Sequence, residues 1–435
     1  MKKWFVSAGL LGGICIAPCL ASAQQPSLIT PPATSKHKNR KAPDNPVVEP
    51  NLSIPVTPLG FAPPAPFYLG SRTAQVSIDF LDENTLLFTF RVPGLISREH
   101  ASSSESTDSY DSGIQRHIRA VVLSLPEGNV TAEALWTVHD NVRYLWALKD
   151  HHFLLRDRNT VQLGDSTLRI EPFLRFPGPV TYLELDPEQR QLIANTSEAA
   201  STDSKAEKET FPSTSSARVR TGEENVPSSS QSLLRILDMD SRTVILFSHV
   251  EGVVHLPLDG DAYYEALRGS GRSWMITRQD LHGASIPLTS IESSCSPTLD
   301  AIAPNVVLVT ACLDSGGRRI TAINKDNRLP WDITLPPTWI WPQLGSSSNP
   351  RRFARAVLDV THAVGPTNPL DGDDIRGQLV QVYDLANGKL ELTIPASPAL
   401  DGGGNFAISP SGNRLAVLNA GAIQIYNLPP PPPLP

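Results

Sequence analysis

Histidine and acidic residues that lie near one another in the sequence are the first candidates for chemistry. His139 and Asp140 form one such pair. His151 and His152 form a second pair, and imidazole and carboxylate groups are common zinc ligands. The residues between the pairs predict a strand of about seven residues, which would hold the pairs ~20 Å apart at ~3.3 Å per residue. One ion cannot contact both pairs, so the sequence predicts neither a metal site nor a cofactor.

Other motifs associated with catalysis or ion binding are weak or missing. The sequence has no G-x-S-x-G, H-E-x-x-H or P-loop pattern. Aspartates flank glycine at 259–261 and at 371–374, but they lack the ligand spacing of a dedicated calcium loop. Asp-Gly is also an ordinary turn sequence. The motifs therefore favour a protein that is not an enzyme.

The elements that must position any site are short strands, and the clearest set lies at residues 405–428. Apolar residues alternate there with small or polar ones, which is the two-residue period of a strand. Turn-forming residues at 409–412 and 419–421 interrupt the alternation, so we expect three short antiparallel strands. The apolar positions are Phe406, Ile408, Leu415, Val417, Ile423 and Ile425.

Residues 405–428 resemble one blade of a WD40-like or YVTN-like β-propeller of the exported bacterial type. In such blades an SPDG turn joins the first two strands, where this chain reads SPSG from Ser409. The pattern I-x-[IV]-[YW]-[DN]-L ends the third strand, where this chain reads IQIYNL from Ile423. The resemblance implies an all-β propeller fold. It carries over no site residues, because the specific match is confined to this stretch.

The same strand–turn–strand unit recurs along the chain. Its copies align at positions 80, 186, 300 and 409, and the intervals of 106, 114 and 109 residues each hold two blades of about 40–50 residues. Fainter strands near the middle of each interval complete the set. We therefore predict a seven-bladed β-propeller over residues 67–428. A pair of β-sandwiches is the alternative, because short strands permit both folds.

Both ends of the predicted propeller are rich in proline, which helices and β-ladders tolerate poorly. Residues 24–66 are typical of an extended linker, and residues 429–435 of a short tail. The last repeat consequently lacks a fourth strand. Residues 52–56 of the linker are apolar enough to form an edge strand. We expect this strand to complete the last blade and so hide its edge.

The first 23 residues have the features of a signal peptide. Lys2 and Lys3 precede an apolar run, and Ala21, Ser22 and Ala23 supply the small residues of a cleavage site. A transmembrane helix is the alternative, although the run is short for a span of ~20 residues. We predict an exported chain, periplasmic or secreted, with no integral membrane segment after signal cleavage.

Two cysteines, Cys295 and Cys312, follow the predicted signal peptide. In an exported protein an even pair usually forms a disulfide. Their separation of 17 residues suits a link between neighbouring strands. Two free buried thiols are the alternative.

Three tryptophans, Trp331, Trp339 and Trp341, lie close together in sequence. On the surface they could bind a sugar or a peptide, but packing between blades is the interpretation we favour for such large side chains. Trp331 and Asp332 also match the dipeptide that names the WD40 family, although they fall in a predicted fourth strand instead of a third.

Three stretches interrupt the repeat and carry too few apolar residues to form a core: 97–113, 196–230 and 361–377. We expect them to be flexible insertions, each following a second strand and preceding a third. Such connections share one face of a propeller with the connections between blades, and we call this the loop-rich face. Loops of this kind often bind ligands or partners, although solvent loops without a function are the alternative. Candidate binding residues on this face are His139, Asp140 and His362.

Two functions are compatible with this sequence. The first is a monomeric, non-catalytic scaffold that binds a protein or an extracellular polymer through the loop-rich face. A formal net charge of −7 argues against nucleic acid as the partner. The second is an envelope hydrolase or lactonase-like enzyme with its site in the central funnel. A sensor domain of a larger envelope assembly is a third, weaker hypothesis.

The central funnel separates the first two hypotheses. Carboxylates and a histidine that converge there within hydrogen-bond reach would favour the enzyme. An apolar or merely hydrated funnel would favour the scaffold.

Overall fold

The computed structural model describes residues 48–62, 76–92, 116–139, 143–197, 231–251, 254–324, 331–346, 351–364, 372–400 and 404–430. These residues form 28 strands in seven four-stranded sheets. The one helical element in the same ranges is a single 3-10 turn at Gly372–Asp374. The predicted all-β, seven-bladed propeller is therefore confirmed, and so is its resemblance in fold to WD40-like propellers.

Strand β1 (Leu52–Pro55) precedes the blades, and blades 1 to 4 follow in chain order. Blade 1 contains β2 (Val76–Asp82), β3 (Thr85–Arg91), β4 (Arg116–Ser124) and β5 (Asn129–Val138). Blade 2 contains β6 (Leu145–Ala147), β7 (His152–Asp157), β8 (Thr160–Asp165) and β9 (Ile170–Arg175). Blade 3 contains β10 (Val180–Leu185), β11 (Gln191–Ser197), β12 (Gln231–Asp238) and β13 (Val244–Glu251). Blade 4 contains β14 (Leu258–Asp259), β15 (Ala262–Arg268), β16 (Ser273–Asp280) and β17 (Ser285–Glu292).

Blades 5 to 7 repeat the arrangement, and the last blade includes β1. Blade 5 contains β18 (Thr298–Ala303), β19 (Val306–Cys312), β20 (Arg318–Asn324) and β21 (Trp331–Leu335). Blade 6 contains β22 (Trp339–Ser346), β23 (Arg352–Val360), β24 (Ile375–Asp384) and β25 (Leu390–Ala396). Blade 7 contains β26 (Phe406–Ile408), β27 (Arg414–Asn419) and β28 (Ala422–Asn427), with β1 as its outer strand.

Apolar clusters fill the spaces between all consecutive blades. A strand in the middle of a blade therefore has both faces buried, and its sequence is a continuous apolar run. In β3, Leu86 and Phe88 face blade 7, whereas Leu87 between them faces blade 2. The cluster between blades 7 and 1 closes the ring.

The predicted closing strand is present. Strand β1 pairs antiparallel with β28, and Ile54 lies opposite Ile423. The chain beyond β1 is also part of the core, which the assignment of residues 24–66 to a linker missed. Phe61 packs edge-on against Phe88 and Phe90, with ring centroids 5.6 Å and 5.3 Å apart. The predicted signal peptide at 1–23 and the linker up to residue 47 lie outside the described residues.

One local assignment needs correction. The predicted insertion at 361–377 is too long. Strand β24 begins at Ile375, and Thr361 N donates a 2.8 Å hydrogen bond to Asp374 O just before it.

The three predicted insertions occupy equivalent places in their blades. They connect β3 to β4, β11 to β12, and β23 to β24, the second and third strands of blades 1, 3 and 6. Because strands alternate in direction within a blade, these strand ends lie on one face with the connections between blades. The insertions themselves lie largely outside the described residues, so their flexibility stays a prediction.

Cys295 and Cys312 form a disulfide with a Cα–Cα distance of 5.5 Å. It links the connection before β18 to the end of β19, at the point where the chain enters blade 5. Trp331 packs between blades 5 and 6, stacked on Phe353 with ring centroids 5.7 Å apart. The interpretation of this tryptophan as inter-blade packing is therefore confirmed. No helix with the length and hydropathy of a membrane span occurs in the described part of the chain.

Candidate functional site

The central channel encloses a cavity of about 1040 Å³. Six blades line it with their inner strands, which are β2, β6, β10, β18, β22 and β26. The inner strand of blade 4, β14, has two residues only. The segment that precedes it carries His255, and this histidine connects the walls formed by blades 3 and 5.

His255 makes hydrogen bonds through both of its ring nitrogens. Nδ1 lies 3.0 Å from Glu184 Oε2 and 2.5 Å from the Tyr182 hydroxyl oxygen, both on β10. Nε2 donates to the Leu299 carbonyl oxygen of β18 at 2.9 Å. The Tyr182 hydroxyl also donates to the Glu184 carboxylate. A carboxylate, a phenol and an imidazole thus meet at one point of the channel wall.

The environment of His255 favours the imidazolium. Burial alone lowers the pKa of His255, but the charges of Glu184 and Asp300 and the hydrogen bonds raise it to about 9. At neutral pH both ring nitrogens therefore carry protons and both donate. A histidine in this state has no lone pair with which to accept a proton from a substrate.

Asp300 is the carboxyl group of the cluster whose protonation changes near neutral pH. Burial raises its pKa, the positive charge of His255 lowers it, and the Glu184 charge raises it, which places the pKa at about 6. Asp300 lies on β18 and lines the cavity. Within the described part of the chain its carboxylate receives no hydrogen bond, so its oxygens are available to a ligand.

The opposite wall carries a second carboxyl group, Asp79 on β2. Burial raises its pKa, while the charge of Arg143 and a 2.5 Å hydrogen bond from Ser77 Oγ lower it. Asp79 and Arg143 both line the cavity. The channel wall is therefore polar and charged on several blades.

Tyr182, His255 and Asp300 lie in the half of the channel nearest the loop-rich face, whereas Glu184 is the fifth of the six residues of β10. Inner strands begin on that face, and Tyr182 and Asp300 are each two residues from the start of their strands. At ~3.3 Å per residue, this places both residues ~7 Å from the strand starts. His255 precedes its strand and belongs to a connection on the same face.

The histidines singled out in the sequence are not part of this cluster. His139 pairs with Asp157, with Nδ1 2.9 Å from Oδ2, and His362 lies 3.5 Å from Asp374 Oδ1. His139 follows the last strand of blade 1 and contacts β7 of blade 2, whereas His362 contacts the turn before β24 of blade 6, so the structure does not bring the two together. Asp140 lies outside the described residues. A binding role for these three residues stays a prediction.

The second histidine pair is also engaged elsewhere. His151 contacts the Asp82 carboxylate at the face opposite the loop-rich face. No group of three or more metal-binding side chains occurs in the described ranges.

Sequence reasoning missed Glu184, His255 and Asp300. One signal was available, because Asp300 stands at an aligned position of the strand–turn–strand repeat, and Glu184 stands two residues before another, residue 186. A polar residue at these inner-strand positions faces either the channel or a neighbouring blade. His255 had no such signal, because it lies in a connection and its partners are 71 to 73 residues before it and 44 after it.

No protein-family model matches the sequence, and no curated protein matches it either. Solved structures with a similar fold were found. Acylaminoacyl peptidase from Pyrococcus horikoshii aligns at a TM-score of 0.45 and 12% identity, over 79% of this chain and 48% of that one. This chain therefore spans about half the length of the peptidase.

Two further structures align over nearly their whole chains. A chain of the mitotic checkpoint complex gives a TM-score of 0.41 and 13% identity, over 85% of this chain and 96% of that one. Sqt1 from Chaetomium thermophilum, solved with the N-terminus of ribosomal protein L10, gives 0.42 and 9%, over 83% and 98%. Likenesses this distant say nothing about the partner or activity of the present chain.

Proposed function

We propose that this propeller is a non-catalytic binding protein that receives a basic side chain of a partner protein in its central channel. The partner approaches the loop-rich face, and its ammonium or guanidinium group reaches Asp300. The protein acts as a monomer in an exported location, where the disulfide Cys295–Cys312 is stable.

The observation that carries this proposal is the Asp300 carboxylate, which lines the cavity and receives no hydrogen bond from any described residue. A partly desolvated carboxylate gains most from a charged donor, and such hydrogen bonds are about twice as strong as neutral ones. Glu184, by contrast, already accepts from Tyr182 and His255. Asp300 is thus the carboxylate that can accept hydrogen bonds from a ligand.

The same wall gives little support to proton-transfer catalysis. Both nitrogens of His255 donate, and burial together with Glu184 raises the pKa of Tyr182. Neither side chain is therefore a base or a nucleophile at neutral pH. Chemistry at Asp300 alone would lack a partner group.

The experiment compares binding of a lysine-rich peptide, penta-lysine, to the wild type and to two variants at low ionic strength. Asp300→Asn should weaken binding about tenfold or more, because it removes a charged acceptor. Asp314→Asn is the matched control, since Asp314 lies on the same face of the same blade, outside the cavity, paired with Arg272. It should leave binding unchanged within about twofold.

Equal weakening by both variants would mean general attraction between charges and would overturn the proposal. Penta-glutamate should not bind. Tight binding of the acidic peptide would overturn it as well.

A hydrolase is the second candidate, favoured by one specific observation. Glu184 lines the cavity, and its carboxylate lies within hydrogen-bond reach of His255, with Oε2 3.0 Å from Nδ1. Assays with p-nitrophenyl esters and simple lactones test this function. Turnover by the wild type that disappears in Glu184→Gln would establish the enzyme, whereas no turnover by either protein would leave binding as the function.

A further inference from the structure

A fully buried arginine, Arg355, lies between blades 5 and 6, and no carboxylate of the described residues pairs with it. Its exposed fraction is 0%. It stands on β23, and its Nη2 donates to Gln381 Oε1 and to the Tyr383 hydroxyl oxygen, both at 2.6 Å. These acceptors are neutral. Nε and Nη1 have no hydrogen-bond partner among the residues that the structure describes, so three of the five N–H groups of the side chain are unused there.

Arg352, three residues earlier on the same strand, has the carboxylate partner that a buried arginine usually has. Its exposed fraction is 2%, so it is buried as deeply. Its Nε lies 2.5 Å from Glu391 Oε2, and its other nitrogens donate to the carbonyl oxygens of Gly412 and Pro429. The charge of Arg352 is thus neutralised and its donors are used, whereas the charge of Arg355 is not.

The aromatic neighbours of Arg355 compensate its charge in part. Phe353 stacks between Trp331 and Tyr383, and the guanidinium carbon of Arg355 lies 5.0 Å from the Tyr383 ring centroid. The attraction between a cation and an aromatic ring is weaker than the cost of burying a charge and leaving its donors unused. The Tyr383 ring therefore does not fully offset the cost of burying the charge of Arg355.

Deprotonation of the Arg355 guanidinium does not remove this cost either. Burial lowers the pKa of Arg355, but a guanidinium in a protein stays protonated at neutral pH. A positive charge therefore persists between the blades, with unused donors beside it. The chemistry that matches both features is a negatively charged acceptor.

We infer that the unused N–H groups of Arg355 bind a small inorganic monoanion of the size of chloride in the interface between blades 5 and 6. The ion is small because the side chain has no exposed surface, which excludes bulky anions. It carries one charge because one guanidinium faces it. Gln381 and Tyr383 hold the guanidinium in place, and the ion stabilises the contact between the two blades.

The test is thermal unfolding of the full chain in sodium chloride, sodium bromide and sodium gluconate at equal ionic strength. The two halides should raise the melting temperature of the wild type by about 2 °C relative to the bulky gluconate, because a ligand of the folded state stabilises it. Arg355→Met keeps the length of the side chain and removes its charge. It should abolish most of this difference.

Arg352→Met is the matched control. It should lower the melting temperature, since it leaves Glu391 unpaired, but the difference between halide and gluconate should remain. General salt effects would act on all three proteins alike. An equal halide effect in wild type and Arg355→Met, or no effect in the wild type, would overturn the inference.

A second measurement covers the case in which Arg355→Met does not fold. Crystals of the wild type grown in bromide should give an anomalous peak within hydrogen-bond distance of Arg355 Nε or Nη1. Water alone at these positions would refute the anion site.

Discussion

At the scale of single residues, aspartates at the ends of third strands make the tight turns of several blades. Asp165, Asp238, Asp280 and Asp384 occupy this position in blades 2, 3, 4 and 6, and each accepts a backbone N–H two or three residues further on. Such bonds stabilise the turn that reverses the chain. The hydroxyl and the backbone N–H of Thr167 lower the pKa of Asp165, and the backbone N–H and hydroxyl of Ser241 lower the pKa of Asp238. The aspartate at the end of a third strand thus caps the turn that follows it.

His255 is the residue through which the pH dependence of stability should be visible. Its pKa is raised from 6.5 to about 9, so its contribution is fully present below pH 6.5 and is lost as the pH rises through 9. We expect the free energy of unfolding of the wild type to fall between these values by on the order of 2 kcal/mol more than that of His255→Gln. Urea unfolding across this range measures the difference.

His282→Gln is the control for this prediction, because His282 lies in an exposed turn of the same blade. Its stability should follow the wild-type curve. Parallel curves for wild type and His255→Gln would show that the contacts with Glu184 and Leu299 contribute no pH-dependent stability.

At the scale of elements, the hairpin turns connect neighbouring blades as well as neighbouring strands. Gly388 lies in the turn between β24 and β25 with a φ of +68°, and an added Cβ would meet the Trp331 ring at 2.6 Å. Trp331 Nε1 donates to the Leu385 carbonyl oxygen of the same turn at 2.6 Å. The β24–β25 turn of blade 6 therefore contacts Trp331, the first residue of the outer strand β21 of blade 5.

Gly388→Ala should destabilise the protein by about 2–4 kcal/mol, because backbone strain and overpacking against the indole act together. Gly421→Ala is the matched control. Gly421 has a φ of +77° and open space around it, so its substitution should cost about 1 kcal/mol from backbone strain alone. Chemical denaturation measures both. Equal losses of stability in the two variants would mean that contact with Trp331 adds nothing to the cost of a side chain at Gly388.

At the scale of the whole molecule, stability depends on closing the ring. The cluster between blades 7 and 1 joins the two ends of the described chain, and from the N-terminal side it includes Ile54, Val56, Leu59 and Phe61. Each blade buries its faces only against its neighbours, so a ring that opens at one interface exposes two of them. The closing segment therefore stabilises a structure far larger than itself.

Phe61→Ala should lower the free energy of unfolding by about 3–5 kcal/mol, the usual loss for a buried phenylalanine. Its exposed fraction is 4%. Phe247→Ala is the control with the same chemistry, because Phe247 is 49% exposed on the outer strand β13, and it should cost less than about 1 kcal/mol. Denaturant unfolding measures both. Similar losses would show that residues beyond β1 are not part of the closure.

The sequence by itself determined the strands, the number of blades, the closing strand and the cysteine pair. These features depend on local signals. A two-residue apolar period marks a strand, Asn-Gly or Ser-Gly marks its turn, and the spacing of the copies reveals the repeat. The burial of Phe61 was missed because the prolines around it resemble a linker, although the core accepts the aromatic ring.

Only the tertiary structure decided which polar side chains meet. His255 joins Glu184, 71 residues before it, to Leu299, 44 residues after it. Arg352 pairs with Glu391 on another strand, whereas Arg355 on the same strand has no carboxylate partner in the described ranges. A periodic pattern says which face of a strand is buried, but the neighbours on that face come from other blades. Which residues these neighbours are depends on the closed ring of blades. Only the closed ring determines which blades pack against each other and which residues line the channel.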